Sequence, residues 1–147
     1  GLEHVNFGDR GVQLTRSFRA LKVWMTVQIH GRKALADAVE AAMTLADHAA
    51  HRIRQSAALE VMGEPSMSIV CFRARSPEGH PMSPEALDAW NESIQERVVE
   101  EGTAMISSTR IAGRFALRFC ILNHRTTRDD VDAVLDRILT LAREGSP

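Results

Sequence analysis

The stretch Arg114-Phe115-Ala116-Leu117-Arg118-Phe119-Cys120-Ile121-Leu122 alternates with a period of two. Such alternation marks a β-strand with two unlike faces, since successive side chains point to opposite sides of a sheet. Phe115, Leu117, Phe119 and Ile121 form a large apolar face, and Arg114, Ala116, Arg118 and Cys120 form the other. Ala112-Gly113, just upstream, reads as a short turn, and a partner strand is expected near 104–109. Strands joined by a tight turn pair antiparallel.

The period changes to helical on both sides of this hairpin. Val131, Val134, Leu135, Ile138 and Leu141 recur at three- and four-residue spacing, after Thr127 as a cap and with Asp129 and Asp130 in the first turn. Upstream, Ser83-Pro84-Glu85 opens a helix that should end at Gly102. Strands are expected at 57–62 and 67–75, joined through Gly63-Glu64-Pro65. Two more helices are expected before them. One begins at Arg16 with Thr15 as its cap and carries Phe18, Leu21, Trp24, Met25 and Ile29. The other, at about 33–54 after Gly31, carries Leu35, Val39, Ala42, Met43, Ala46, Ala50 and Ile53. Residues 1–14 show no periodicity and read as an extended or mobile leading segment. The fold class is therefore α+β, a small antiparallel sheet of three to four strands with helices on one face.

Composition narrows the function. The chain has 147 residues, 44% hydrophobic and 25% charged, as expected of one soluble domain rather than a disordered or disulfide-stapled chain. Eighteen basic against nineteen acidic side chains leave no basic excess for nucleic acid. No apolar run approaches the ~20 residues of a membrane helix. Cys71 and Cys120 stand apart in apolar stretches and suggest a reducing, cytoplasmic compartment. His48 and His51 share a helix face, but two ligands without a third make a weak metal site, and no metal is expected. Phosphate-cradling glycine loops and nucleophile elbows are missing from the sequence. Only Lys22 and Lys33 could carry lysine chemistry. Arg118 remains: it is flanked on its own face by the small Ala116 and Cys120. It can either receive a carboxylate through two parallel hydrogen bonds or form a structural salt bridge.

The segment Leu14-Thr15-Arg16-Ser17-Phe18-Arg19-Ala20-Leu21-Lys22-Val23-Trp24, continued by Gly31, resembles the junction segment of the group II pyridoxal-phosphate-dependent amino-acid decarboxylases. The resemblance continues through Ile69-Val70-Cys71-Phe72-Arg73, Gly102-Thr103 and Leu117-Arg118-Phe119 to the closing helix. It implies the C-terminal small domain of an aminotransferase-type (fold type I) enzyme, with residues 1–15 as the end of a mobile loop and junction and 16–147 as the small domain. The large domain that holds pyridoxal 5′-phosphate, with its Schiff-base lysine, would then lie outside this chain. Gly1-Leu2-Glu3-His4 carries neither an initiator Met nor a signal pattern, so the chain is expected to begin part-way through a longer protein. The remainder is expected as part of the same enzyme, either joined or as a separate cleaved chain.

The resemblance also assigns roles. Arg118 matches an arginine that faces the substrate carboxylate. Thr15 matches a position, Gly in dopa decarboxylases and Ser in histidine decarboxylases, that reaches the partner's substrate pocket in the family's homodimer. Leu14 would line the same pocket and Arg16 would support it. No catalytic or cofactor-binding residue is expected in this chain itself. Amino-acid decarboxylation, with release of CO2 and an amine, is the implied activity of the complete enzyme. A second reading is a free-standing α+β small-molecule-binding or regulatory module without catalysis.

Overall fold

A computed structural model describes residues 17–144. The elements are α1 (Arg19–Gln55), β1 (Leu59–Val61), β2 (Ile69–Ala74), α2 (Pro84–Glu100), β3 (Ser107–Ile111), β4 (Arg114–Cys120) and α3 (Arg128–Glu144). They divide into two compact units, residues 1–36 and 37–147.

The described part of the first unit is helical from Arg19 onward. Ser17 and Phe18 precede the helix, and the Ser17 carbonyl accepts the Arg19 amide. The helix thus starts three residues after the expected Arg16; Thr15, its expected cap, lies outside the described residues. Phe18, Val23, Trp24 and Ile29 are exposed. Gly31 breaks the helix with φ 76 and ψ 163. That is a mirror-extended conformation open essentially to glycine alone, not the left-handed helical one with which glycine commonly closes a helix, and the helix resumes directly after it.

The second unit is built on one four-stranded antiparallel sheet in the order β1-β2-β4-β3. Its hairpin turn uses two residues with positive φ, Ala112 at 50 and Gly113 at 78, a mirror-image turn suited to the twist of the strands. The turn pins Ile111 opposite Arg114, and the pairing continues back to Ser107 opposite Arg118. This places β3 at Ser107–Ile111 rather than near 104–109. The other expected strands are shortened at both ends, to Leu59–Val61 and Ile69–Ala74.

One sheet face is the core. Val70, Phe72 and Ala74 from β2 join Leu117 and Phe119 from β4 and the buried residues of all three helices. Phe72 and Phe119 meet edge to face with centroids 4.9 Å apart. On α1 the buried part is confined to Ala46, Ala49, Ala50 and Ile53, so Leu35, Val39 and Met43 of the expected stripe remain exposed. α2 is capped by the Ser83 hydroxyl, which accepts the Ala86 amide at 3.2 Å, and Pro84 fills its first turn. α3 is capped reciprocally by Thr127 and Asp130.

At one end of the β2–β4 ladder, α2 side chains replace the missing strand partners. The ladder stops at Phe72 opposite Leu117. Beyond it the Phe115 amide donates to Asp88 Oδ1 at 3.0 Å. The Asn91 amide group both accepts from the Ala74 N–H at 2.7 Å and donates to the Ala74 carbonyl at 3.1 Å. Asn91 is fully buried, and this exchange answers its desolvation.

Candidate functional site

The opposite sheet face carries Cys71 and Arg73 from β2, Ser107 and Thr109 from β3, and Ala116, Arg118 and Cys120 from β4. Two arginines on this face are held differently. Arg73, 6% exposed, donates from Nε to Glu60 Oε1 at 2.6 Å and is a structural ion pair. Arg118, half-buried, makes no ion pair among the described residues. Its Nε donates to Ser107 Oγ at 3.0 Å, and the Ser107 hydroxyl donates to the Arg118 carbonyl at 3.2 Å. Among the described residues, an ion pair of that kind is made by Arg73 and not by Arg118.

Cys71 stands directly across β2 from Arg118. Burial pushes the Cys71 thiol up, while the Arg118 charge pulls against it and Cys120 adds to the rise. Both thiols are free. The arrangement is a guanidinium between a hydroxyl and a thiol, with Nη1 and Nη2 making no hydrogen bond to the described residues. Such an edge takes a carboxylate through two parallel bonds. A separate cleft of about 490 Å³ lies between residues 103–106, the end of β4 and the start of α3, with Cys120, Arg125 and Asp130 on its wall. Arg118 does not line it, and we place the candidate site by chemistry, at the guanidinium, rather than by cavity size.

Leu14, Thr15 and Arg16, the other expected site residues, lie outside the described residues. The sequence reading passed over Ser107 and Cys71. Ser107 was open to detection, because the Ala112-Gly113 turn sets the pairing of every residue back to 107. Cys71 had no such signal, since the β2–β4 pairing spans α2 and β3.

His48, one of the two histidines on that helix face, has another use. His48 Nε2 meets Asp132 Oδ1 at 2.6 Å, and Nδ1 accepts from Arg128 Nε at 3.1 Å. Arg52 bridges Asp132 and Asp136, both at 2.8 Å. This cluster ties α1 to α3, and the described residues contain no group of three or more potential ligands able to hold a metal ion. The Arg52 hydrogen bond, then that of His48, holds the Asp132 carboxyl below the usual range. A depressed folded-state value gives stability that is present above the unfolded value of about 4 and is lost as pH falls through the folded one. Asp132→Asn should therefore melt below the parent at neutral pH, and the gap should close as pH falls below about 4. Thermal melts across that range check it; a gap of constant size would assign the loss to packing instead.

The conserved domain described as "Pyridoxal-dependent decarboxylase conserved domain" matches residues 3–75. An aromatic-L-amino-acid decarboxylase of Bacillus atrophaeus is 30% identical over 142 residues, 97% of this chain and 29% of that protein. The chain belongs to the pyridoxal-dependent decarboxylase family. Two solved structures agree with this assignment. One is the glutamate decarboxylase domain of a diaminobutyrate-pyruvate transaminase and L-2,4-diaminobutyrate decarboxylase from Vibrio parahaemolyticus. It is 36% identical with a TM-score of 0.75, over 89% of this chain and 27% of that one. The other, Oryza sativa TDC with PLP and tryptamine, is 26% identical with a TM-score of 0.83, over 99% of this chain and 31% of that one. This decarboxylase-family chain thus spans under a third of the length of these relatives. Among its described residues, no helix is long and apolar enough to cross a membrane.

Proposed function

We propose that this chain is the small domain of a cytoplasmic, homodimeric pyridoxal-phosphate-dependent L-amino-acid decarboxylase, and that Arg118 binds the substrate carboxylate. The observation that carries the reading is the Arg118 guanidinium, fixed by Ser107 on the sheet face away from the core and without a carboxylate partner among the described residues. Two features support placing the cofactor outside this chain. Lys22 is exposed on α1, and the glycines with positive φ stand singly at 31, 63, 79, 102 and 113 rather than in a phosphate-cradling loop. The reading gives the cofactor and the Schiff-base lysine to a large domain, and to this chain the orientation of the substrate.

Decarboxylation cleaves the bond from Cα to the carboxylate and releases CO2. A bidentate guanidinium fixes the plane of that carboxylate, and with it the direction of the bond to be broken. Leu14 and Thr15 are assigned to the side-chain pocket of the partner subunit, with Arg16 supporting them.

The test is the complete enzyme incubated with L-tyrosine, L-tryptophan and L-2,4-diaminobutyrate, with CO2 and amine both measured. Equimolar CO2 and amine from at least one amino acid is the expected result. Binding without turnover, in protein loaded with pyridoxal phosphate, would favour the regulatory-module reading. Thr15 carries one more methyl than Ser and a hydroxyl that Gly lacks, so a substrate smaller or more polar than a catechol or indole should be preferred. Thr15→Gly should shift relative kcat/KM towards the aromatic amino acids by about 1–3 kcal/mol, as a methylene-sized pocket change does. An unchanged ranking in the same panel would remove Thr15 from the pocket.

A further inference from the structure

We infer that Ser107 is a positioning residue that makes Arg118 present its Nη1/Nη2 edge, and not its Nε edge, to a substrate carboxylate. The inference rests on the proposed role of Arg118 and adds the geometry of the contact. A guanidinium can grip a carboxylate side-on, through Nε and one Nη, or end-on, through Nη1 and Nη2. The two modes hold the carboxylate in different places, so a substrate oriented for cleavage needs one of them excluded.

Ser107 excludes the side-on mode. Its hydroxyl proton is committed to the Arg118 carbonyl at 3.2 Å, which turns an oxygen lone pair towards Arg118 Nε at 3.0 Å. Both bonds run between residues that are direct cross-strand partners, so the hairpin register itself sets the distance. On the other side of Arg118, Cys71 is a poor acceptor and leaves the Nη atoms uncommitted. The flanking Ala116 is fully buried and too small to reach the guanidinium. The register, one hydroxyl and two small or weakly polar neighbours together leave a single edge for a ligand.

Two near-isosteric replacements separate the hydroxyl from shape. Ser107→Thr keeps the oxygen and Ser107→Val removes it, and both are good strand residues. In the complete enzyme, assayed with whichever of L-tyrosine, L-tryptophan and L-2,4-diaminobutyrate is turned over fastest, Ser107→Val should lower kcat/KM about tenfold, the order of one hydrogen bond to a charged group. Ser107→Thr should stay within about threefold of the parent. The matching amine, used as a competitive inhibitor, has no carboxylate, and its Ki should not move in either variant. In an Arg118→Ala background, Ser107→Val should cost nothing further. Equal losses for amino acid and amine, or equal losses in the Thr and Val variants, would overturn the inference and leave Arg118 in place. An Arg118→Ala enzyme with parental kcat/KM would overturn both.

Discussion

Arg118→Ala in the complete enzyme is expected to lose about 3–5 kcal/mol of transition-state stabilisation, measured as kcat/KM for the amino acid. The size follows from what the side chain faces. Arg118 is half-buried and has Ser107 as its one side-chain hydrogen-bond partner among the described residues. A carboxylate it receives is therefore paired in a partly desolvated setting, where removing one charge leaves the other unanswered. Arg118→Lys should rescue poorly, because an ammonium is a point charge and cannot supply two parallel donors. Thermal stability should change little by comparison, since no ion pair of the described residues is lost. The opposite outcome, a lowered melting temperature with unchanged turnover, would make Arg118 structural in the manner of Arg73.

A second large effect is expected at Asn91, and it concerns stability. Asn91→Leu keeps the number and branching of the side-chain atoms but strips both partners from Ala74, whose N–H and C=O point away from β1 towards the β4 side, beyond the end of the β2–β4 ladder. Each buried backbone group left unpaired costs about 1–3 kcal/mol, so the pair should lower unfolding free energy by about 2–6 kcal/mol. Chemical denaturation of the chain measures it. A variant as stable as the parent would show that water or a shifted β4 replaces the amide. Asp88 accepts from the Phe115 amide in the same gap and from the exposed Arg110 at 2.8 Å; Asp88→Ala leaves one backbone group unpaired rather than two and should cost less.

Most of the secondary structure was legible because each element carries its own period and its own stop signals. Phe115, Leu117, Phe119 and Ile121 announce β4 unaided. Ser83-Pro84 and Thr127 with Asp130 announce two helix starts, and both caps are made. Trp90, Ile94 and Val98 of α2 are buried and Asn91 beside them is clamped, but the sequence did not single out Asn91, because a polar residue near an apolar stripe looks the same whether it is clamped or exposed. The start of α1 was placed three residues early, because the apolar pattern from Phe18 onward does not mark the first helical residue.

The junction motif and the Leu117-Arg118-Phe119 strand were enough to place the chain in its family, since those residues are contiguous and their spacing survives without coordinates. The hairpin register was also determined by sequence, because a two-residue turn between Ile111 and Arg114 leaves one pairing, with Ser107 across from Arg118. What the sequence could not determine is anything joined across long stretches of chain. The insertion of β4 between β2 and β3, which brings Cys71 to Arg118, and the bond from His48 to Asp132, 84 residues away, belong to the tertiary structure alone. So does the difference between Arg73 and Arg118, two arginines on one sheet face, of which one meets Glu60 and the other meets no carboxylate among the described residues. Local periods are fixed by backbone geometry within a few residues, whereas the partner of a side chain is fixed by how the helices and sheet bury their apolar faces together, and that packing is decided only once the whole domain has closed.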